Sequence, residues 1–356
     1  MKYSRALDGL RGIAILTVCF FHWGLPWIPG GFFGVDIFFV VSGYLITSIL
    51  LQELRTTSNI NFRDFYLRRI LRLFPALCFM LLLYGLLATF VAVNPARHYL
   101  DILIVFFYMA NWARALDFGH PMEMGHTWSL SIEEQFYLVW PFIMYRSVRK
   151  LGPKGLFAVT LFLAAGSTLE RVVLLPIASV DRLYNGFDTR MDTLLYGCIL
   201  AIVLHFRPNW SLPPKLCRIL LPAIGWGGIM CSLGLGHVYD PFTYFYGILL
   251  VAIFSMALVV SAVSTWAPRT QAVLSSPVFV WFGKRSYGLY LWHYTINMLL
   301  KIEHHGIGRT LLSAGIALVM TEVSYRCVER PFLALKRKFG ATASADVPAV
   351  AHGIAR

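Results

Sequence analysis

Along the chain, apolar residues gather into long runs at about 12–28, 33–52, 75–93, 100–113, 128–146, 155–176, 191–206, 218–236, 244–264, 286–301 and 310–328. A helix that crosses a bilayer needs about 20 mostly apolar residues, and most of these runs come near it. The run at 100–113 is short, and apolar segments of that size are more often re-entrant or interfacial. The pattern predicts an all-α, polytopic integral membrane protein.

Charge placement sets the count. If 100–113 does not cross, nearly every strongly basic segment falls on one side. Lys2, Arg5 and Arg11 lie there, with Arg55, Arg63, Arg68, Arg69 and Arg72, then the cluster of Arg146, Arg149, Lys150 and Lys154. Arg207, Lys215 and Arg218 follow, then Arg269, Lys284 and Arg285, then the C-terminal stretch from Arg326 to Lys338. Cytoplasmic loops carry the excess of Lys and Arg, so the expectation is about ten transmembrane helices with both termini cytoplasmic, in the cell's inner (cytoplasmic) membrane. Residues 1–335 read as one membrane domain and 336–356 as a basic, then disordered, cytoplasmic tail. No internal repeat is visible, and the first apolar run has no cleavable signal pattern.

Composition agrees. The 356 residues are 58% hydrophobic and 14% charged, against about a quarter charged in soluble domains. Soluble, disordered and disulfide-rich classes are excluded. The net charge of +13 belongs to cytoplasmic loops, and no nucleic-acid partner is expected. The six cysteines stand singly, without a CxxC pair, and read as structural filler.

Ionisable groups within spans are costly and mark functional candidates. His22 is the first. Arg11 precedes it by eleven residues, about three turns, which places both on one helix face about 16 Å apart. That stripe suits a ligand with a charged head and a long arm, such as coenzyme A; the plain alternative is an interfacial histidine bonded to a carbonyl. In FYLRRILRLFPA, Arg69 and Arg72 share a helix face and Arg68 reaches Arg72. They read either as anchors to lipid phosphates or as a grip on a phosphorylated donor. Glu133 and Glu134 are about 100° apart on a helix and cannot both face one cavity. Helical rise puts Glu133 roughly 8 Å and His22 about 9 Å from the outer ends of their spans, so Glu133 is expected to support His22 as a carboxylate supports an imidazole base. Asp36, Arg190, Asp192, Tyr287 and His293 complete the supporting or acceptor-side candidates. Ser42-Gly43 and Gly24 are expected to allow close helix packing. The loop histidines His120, His126, His304 and His305 have no carboxylate or Cys at metal-site spacing, and no metal is expected.

The segments LDGLRGIAILTVCFFH (7–22), GGFFGVDIFFVVSGYLIT (30–47), FYLRRILRLFPA (65–76), WSLSIEEQFYLVWP (128–141), RMDTLLYG (190–197), SYGLYLWH (286–293) and VERPF (328–332) resemble, in order, the motifs of the acyltransferase-3 family of integral-membrane O-acyltransferases. The resemblance covers about residues 5–335. It implies transfer of an acyl group, most often acetyl from cytosolic acetyl-CoA as co-substrate, to a hydroxyl of a cell-surface or lipid-linked glycan such as O-antigen, exopolysaccharide or peptidoglycan. By position it places the family's essential Arg and His on Arg11 and His22, its donor-associated arginines on Arg69 and Arg72, and its Glu on Glu133. The secreted esterase-like domain that some members append is not expected here, and acceptor choice is expected to reside in the membrane domain.

With that donor, Arg11, Arg69 and Arg72 would hold phosphates. His22 would either deprotonate the acceptor hydroxyl, with Glu133 in support, or carry the acyl group itself. A secondary transporter of a lipid-linked sugar or anion is the competing class; the absence of repeats and of a matching outer basic cluster argues against it.

Overall fold

The computed structural model describes residues 3–91, 94–207, 216–300 and 306–336. The expected tail from residue 337 on, and His304 and His305, lie outside the described residues. Helices and their connections make up everything described, with no strand among these residues.

Helix α1 (Arg5–His22) is capped by the Ser4 hydroxyl, which accepts from the Leu7 amide at 3.4 Å. It ends at a turn through Gly24, whose φ is +72°. Gly24 therefore terminates the helix; a Cβ there would meet nothing within 4 Å. The expectation that it serves helix packing is corrected. Helix α2 (Gly34–Thr57) follows, then α3 (Phe62–Val91), whose start is capped by Asn61 accepting from the Asp64 amide at 3.1 Å. The weak run at 100–113 becomes two short helices, α4 (Pro95–Phe106) and α5 (Ala110–Ala115). The longer of them spans about 18 Å by helical rise.

Helix α6 (Trp128–Leu174) is two arms joined at Gly152, where φ is +69° and Pro153 follows. Next come α7 (Val180–Asn185), α8 (Phe187–Phe206), α9 (Leu221–Leu235), α10 (Ile248–Val263), α11 (Pro268–Leu274), α12 (Pro277–Lys284), α13 (Ser286–Leu299), α14 (Ile307–Ser324) and α15 (Arg330–Lys336). Seven helical stretches among the described residues are long and apolar enough to cross a membrane. Ten were expected. The difference has local causes: residues 125–174 form one run despite the break at Gly152, α1 carries Arg5, Asp8 and Arg11 in its first two turns, and α13 has 14 residues.

Two helix pairs position the site. Helices α2 and α8 run parallel, because Asp36 meets Arg190 while, further along both, Gly43 meets Leu194 and Val40 meets Gly197. A Cβ on Gly43 would lie 1.9 Å from the Leu194 carbonyl oxygen, and one on Gly197 would lie 2.1 Å from that of Val40. Glycine is required at both. The close approach predicted at Ser42-Gly43 is thus present at Gly43. Helices α1 and α13 also run parallel: Arg11 bonds Ser286, and about three turns further along α1 His22 meets His293 and Asn297.

Candidate active site

A cavity of about 210 Å³ opens between α1, α2, α3, α6 and α13. Its polar lining comprises Arg11, Ser42, Arg69, Arg72, Ser129, Glu133 and Ser286, with Tyr137, Tyr287 and Tyr290 among apolar side chains of α2, α3 and α6. Residues far apart in sequence reach it because each sits on the inward stripe of its own helix. Arg69 and Arg72 are one turn apart on α3, so both point in; Arg68, between the stripes, turns instead to Glu53 at 3.5 Å. The expected three-arginine cluster is therefore two arginines of α3 joined by Arg11.

The three cations are held differently. Arg11 donates to Ser286 Oγ at 2.9 Å and stands 4.0 Å from Asp8. Arg69 pairs with Glu134 at 3.3 Å and stacks on the Tyr137 ring, its Cζ 3.3 Å from the ring centroid. Arg72 lines the cavity with no carboxylate in salt-bridge range among the described residues. Glu133 and Glu134 diverge as helix geometry requires: Glu133 faces the cavity and accepts from Tyr137 at 3.4 Å, while Glu134 takes Arg69. The Tyr287 hydroxyl donates to the Leu73 carbonyl at 3.0 Å, fastening α13 to α3.

At the other end of α1 the partner of His22 is a second histidine. His22 Nδ1 lies 3.1 Å from His293 Nε2, and His293 Nδ1 lies 3.0 Å from the Leu289 carbonyl oxygen. A carbonyl only accepts, so His293 carries its proton on Nδ1 and its Nε2 must accept. His22 is then the donor through Nδ1, and its Nε2 keeps a lone pair. Such a hydrogen bond from the far nitrogen fixes which ring atom acts as base. Asn297 Nδ2 adds a bond to the His22 carbonyl at 2.8 Å.

Glu133 is thus not the group that orients His22. Equal depth from helical rise says nothing of lateral position, and the inward stripe of α6 puts Glu133 beside Arg69 and Tyr137, with α13 taking the place next to His22. Asp36, Arg190 and Asp192 are also set apart from the cavity. Arg190 pairs with Asp36 at 2.9 Å and Arg171 with Asp192 at 2.7 Å, all four side chains fully buried. Arg171 also bonds the Thr189 and Tyr244 carbonyls. This network ties α2, α6 and α8 together. Asp36, Arg190 and Asp192 were singled out in sequence but Arg171 was not, and their mutual pairing was not visible, since they come from three separate helices.

Sequence reasoning weighed His126 only as a loop histidine for metal and passed over Glu329. His126 is the second residue of the stretch GHTWSLS and is 3% exposed. Its ring lies 5.6 Å from that of His293 and 4.9 Å from that of Tyr294. Glu329, in VERPF, is buried against Gly288 and accepts from Ser324 at 3.3 Å. Only the motif context in each case was a usable signal. Folding also brings a carboxylate to the loop histidine His120, which bonds Asp101. Within α4, His98 and Asp101 stand one turn apart, and with Glu123 they hold potential ligand atoms within 4.8 Å of one another. Tyr84 bonds both His98 and Glu123, at 2.7 and 2.8 Å, so the cluster fastens the 117–124 segment to α3 and α4.

Residues 4–324 match a family described as an acyltransferase domain. Among curated proteins, the peptidoglycan O-acetyltransferase OatA of Listeria monocytogenes is 35% identical over 93% of this chain and 56% of its own length. The putative peptidoglycan O-acetyltransferase YrhL of Bacillus subtilis is 34% identical over 93% of this chain and 55% of its own. A putative O-acetyltransferase of Staphylococcus aureus is 34% identical over 93% and 58%. The chain therefore spans little more than half the length of these relatives. No solved structure matches it.

Proposed function

The chain belongs to the acyltransferase-3 family of membrane acyltransferases, and from that premise we propose that it moves an acetyl group from cytosolic acetyl-CoA to a hydroxyl of an extracytoplasmic glycan. The relatives named for peptidoglycan favour a peptidoglycan-type acceptor over O-antigen or exopolysaccharide. The observation that carries the reading is the α1–α13 pair: phosphate-binding chemistry at one end (Arg11, with Arg69 and Arg72) and a histidine with a directed lone pair at the other, about 16 Å along the same helix.

In this reading the arginines hold the donor's phosphates, Arg72 as a cation without an ion-pair partner among the described residues. The pantetheine arm follows the groove past Ser286 and Tyr290. His22 Nε2 takes the proton of the acceptor hydroxyl as its oxygen attacks the thioester carbonyl. The C–S bond breaks, and the departing thiolate receives that proton from His22. His293 acts as a positioning residue, holding the tautomer and accepting from the imidazolium.

Ten crossings with both termini cytoplasmic belong to the same proposal, and the helix directions support it. For α2 and α8 to run parallel, the chain between them must cross an odd number of times. Helix α3 and the two arms of α6 supply three; a crossing at 100–113 would make four and turn α8 around. The membrane location at the cytoplasmic membrane follows the same orientation.

Protein reconstituted in vesicles with labelled acetyl-CoA and a soluble glycan acceptor tests the function. The expected result is an acetyl ester on the glycan, lost in His22→Gln by at least the roughly 10²-fold typical of a missing general base. Transfer at the wild-type rate by an inserted, donor-binding His22→Gln protein would remove His22 from the mechanism.

A further inference from the structure

Buried polar atoms nearly always find partners in folded proteins. Around His22 several have none. Nε of Arg114 and Oδ1 of Asn297 are buried without a hydrogen-bond partner among the described residues, and the ring nitrogens of His126 have no well-aligned partner there, with only the Tyr290 and Leu291 backbone beside them. They belong to one place. The Tyr294 ring stands 4.8 Å from His22 and 4.9 Å from His126. Arg114 and Tyr294 converge on Gly125, where a Cβ would fall 2.5 Å from Arg114 Nη1 and 3.7 Å from the Tyr294 hydroxyl. Asn297 bonds the His22 carbonyl directly.

The unmet groups are chemically mixed: a guanidinium N–H that donates, an amide oxygen that accepts, and an imidazole that does both. A lipid tail or an acyl chain would leave them unmet. A hydroxyl, which donates and accepts, satisfies them, and the Tyr290 and Tyr294 rings beside them offer flat faces to a sugar ring. We infer that His126, Arg114 and Asn297 form the acceptor subsite, holding a hydroxyl-rich sugar with one hydroxyl turned to His22. The inference rests on the reading of His22 as the base for that hydroxyl. It also explains why Gly125 is glycine: a side chain there would push Arg114 out of the subsite.

Binding of radiolabelled chitotetraose, an uncharged N-acetylated tetrasaccharide, to the full chain in lipid nanodiscs tests the subsite without requiring turnover. The His126→Leu variant removes a polar group that has no well-aligned partner without ligand, so its melting temperature should equal or exceed that of the wild type. Its saccharide affinity should fall roughly three- to tenfold, the effect of a lost hydrogen bond, with acetyl-CoA affinity kept. The Gly125→Ala variant removes no hydrogen-bonding group and should weaken saccharide binding through Arg114 alone. The inference is overturned if the wild type does not bind the saccharide, if His126→Leu binds it with wild-type affinity, or if His126→Leu melts lower, which would mark a structural histidine. Failure of acetyl transfer with saccharide binding intact would instead overturn the function proposed for the whole site.

Discussion

At the scale of single residues, the two ends of α1 should respond differently to substitution. Arg72 lines the cavity without an ion pair among the described residues, so Arg72→Ala should leave the melting temperature unchanged. Its donor KM should rise roughly ten- to a hundredfold, the worth of a charge-assisted hydrogen bond. Arg69 also holds Glu134 and Tyr137, so Arg69→Ala should lose both donor affinity and stability. Steady-state kinetics beside thermal melts separates the two. At the far end, His293→Gln should lower kcat while donor KM stays put, because it disturbs a proton's place and not the phosphate grip. Combined with His22→Gln it should add little, since groups that act as one unit are non-additive. An additive double variant would show that the two histidines work separately. Candidate residue types were legible in the chain: Arg11 and His22 share a stripe, and the stripe is real. Their partners were not. Spacing along one helix gives depth and facing, whereas the choice of His293 over Glu133 depends on which helix packs alongside.

At the scale of elements, the close approach of α2 and α8 makes a steric prediction. Gly43→Ala would set a methyl group 1.9 Å from a backbone oxygen, and backbone yields less readily than a side chain. The helices must separate, at about 1–3 kcal/mol for overpacking, read as a lower melting temperature. The same helices carry the Asp36–Arg190 pair. Replacing Asp36 by Asn leaves Arg190 buried without its counter-charge, and breaking such pairs costs about 3–5 kcal/mol. A destabilised protein that still binds acetyl-CoA with normal affinity would agree with a role in holding helices, while selective loss of acceptor binding would return Asp36 to the site. Apolar runs announced most of these helices in the sequence. The join of the 128–146 and 155–176 runs through Gly152 and the division of the non-crossing run at 100–113 into two short helices were only partly readable, because run length cannot distinguish a bent helix from two separate ones.

At the scale of the whole molecule, helix direction makes topology a test. Reporter fusions after Lys150 and near Pro121 should report opposite sides of the membrane, Lys150 cytoplasmic. Fusions reporting one side would mean an even number of crossings between α2 and α8, incompatible with their parallel packing.

The pairing of α1 with α13 also bears on how the protein is made. Arg11 and the His22 backbone each find partners 275 residues further along the chain. During synthesis the first helix enters the membrane long before the one that completes it, so a nascent chain has neither a fixed His22 tautomer nor the Arg11–Ser286 contact. On the proposed function, such a chain would be inactive until α13 is in place. The same architecture makes the protein divisible. Fragments 1–264 and 265–356, cut in the connection between α10 and α11, should each be inert when expressed alone and should regain acetyl transfer when expressed together.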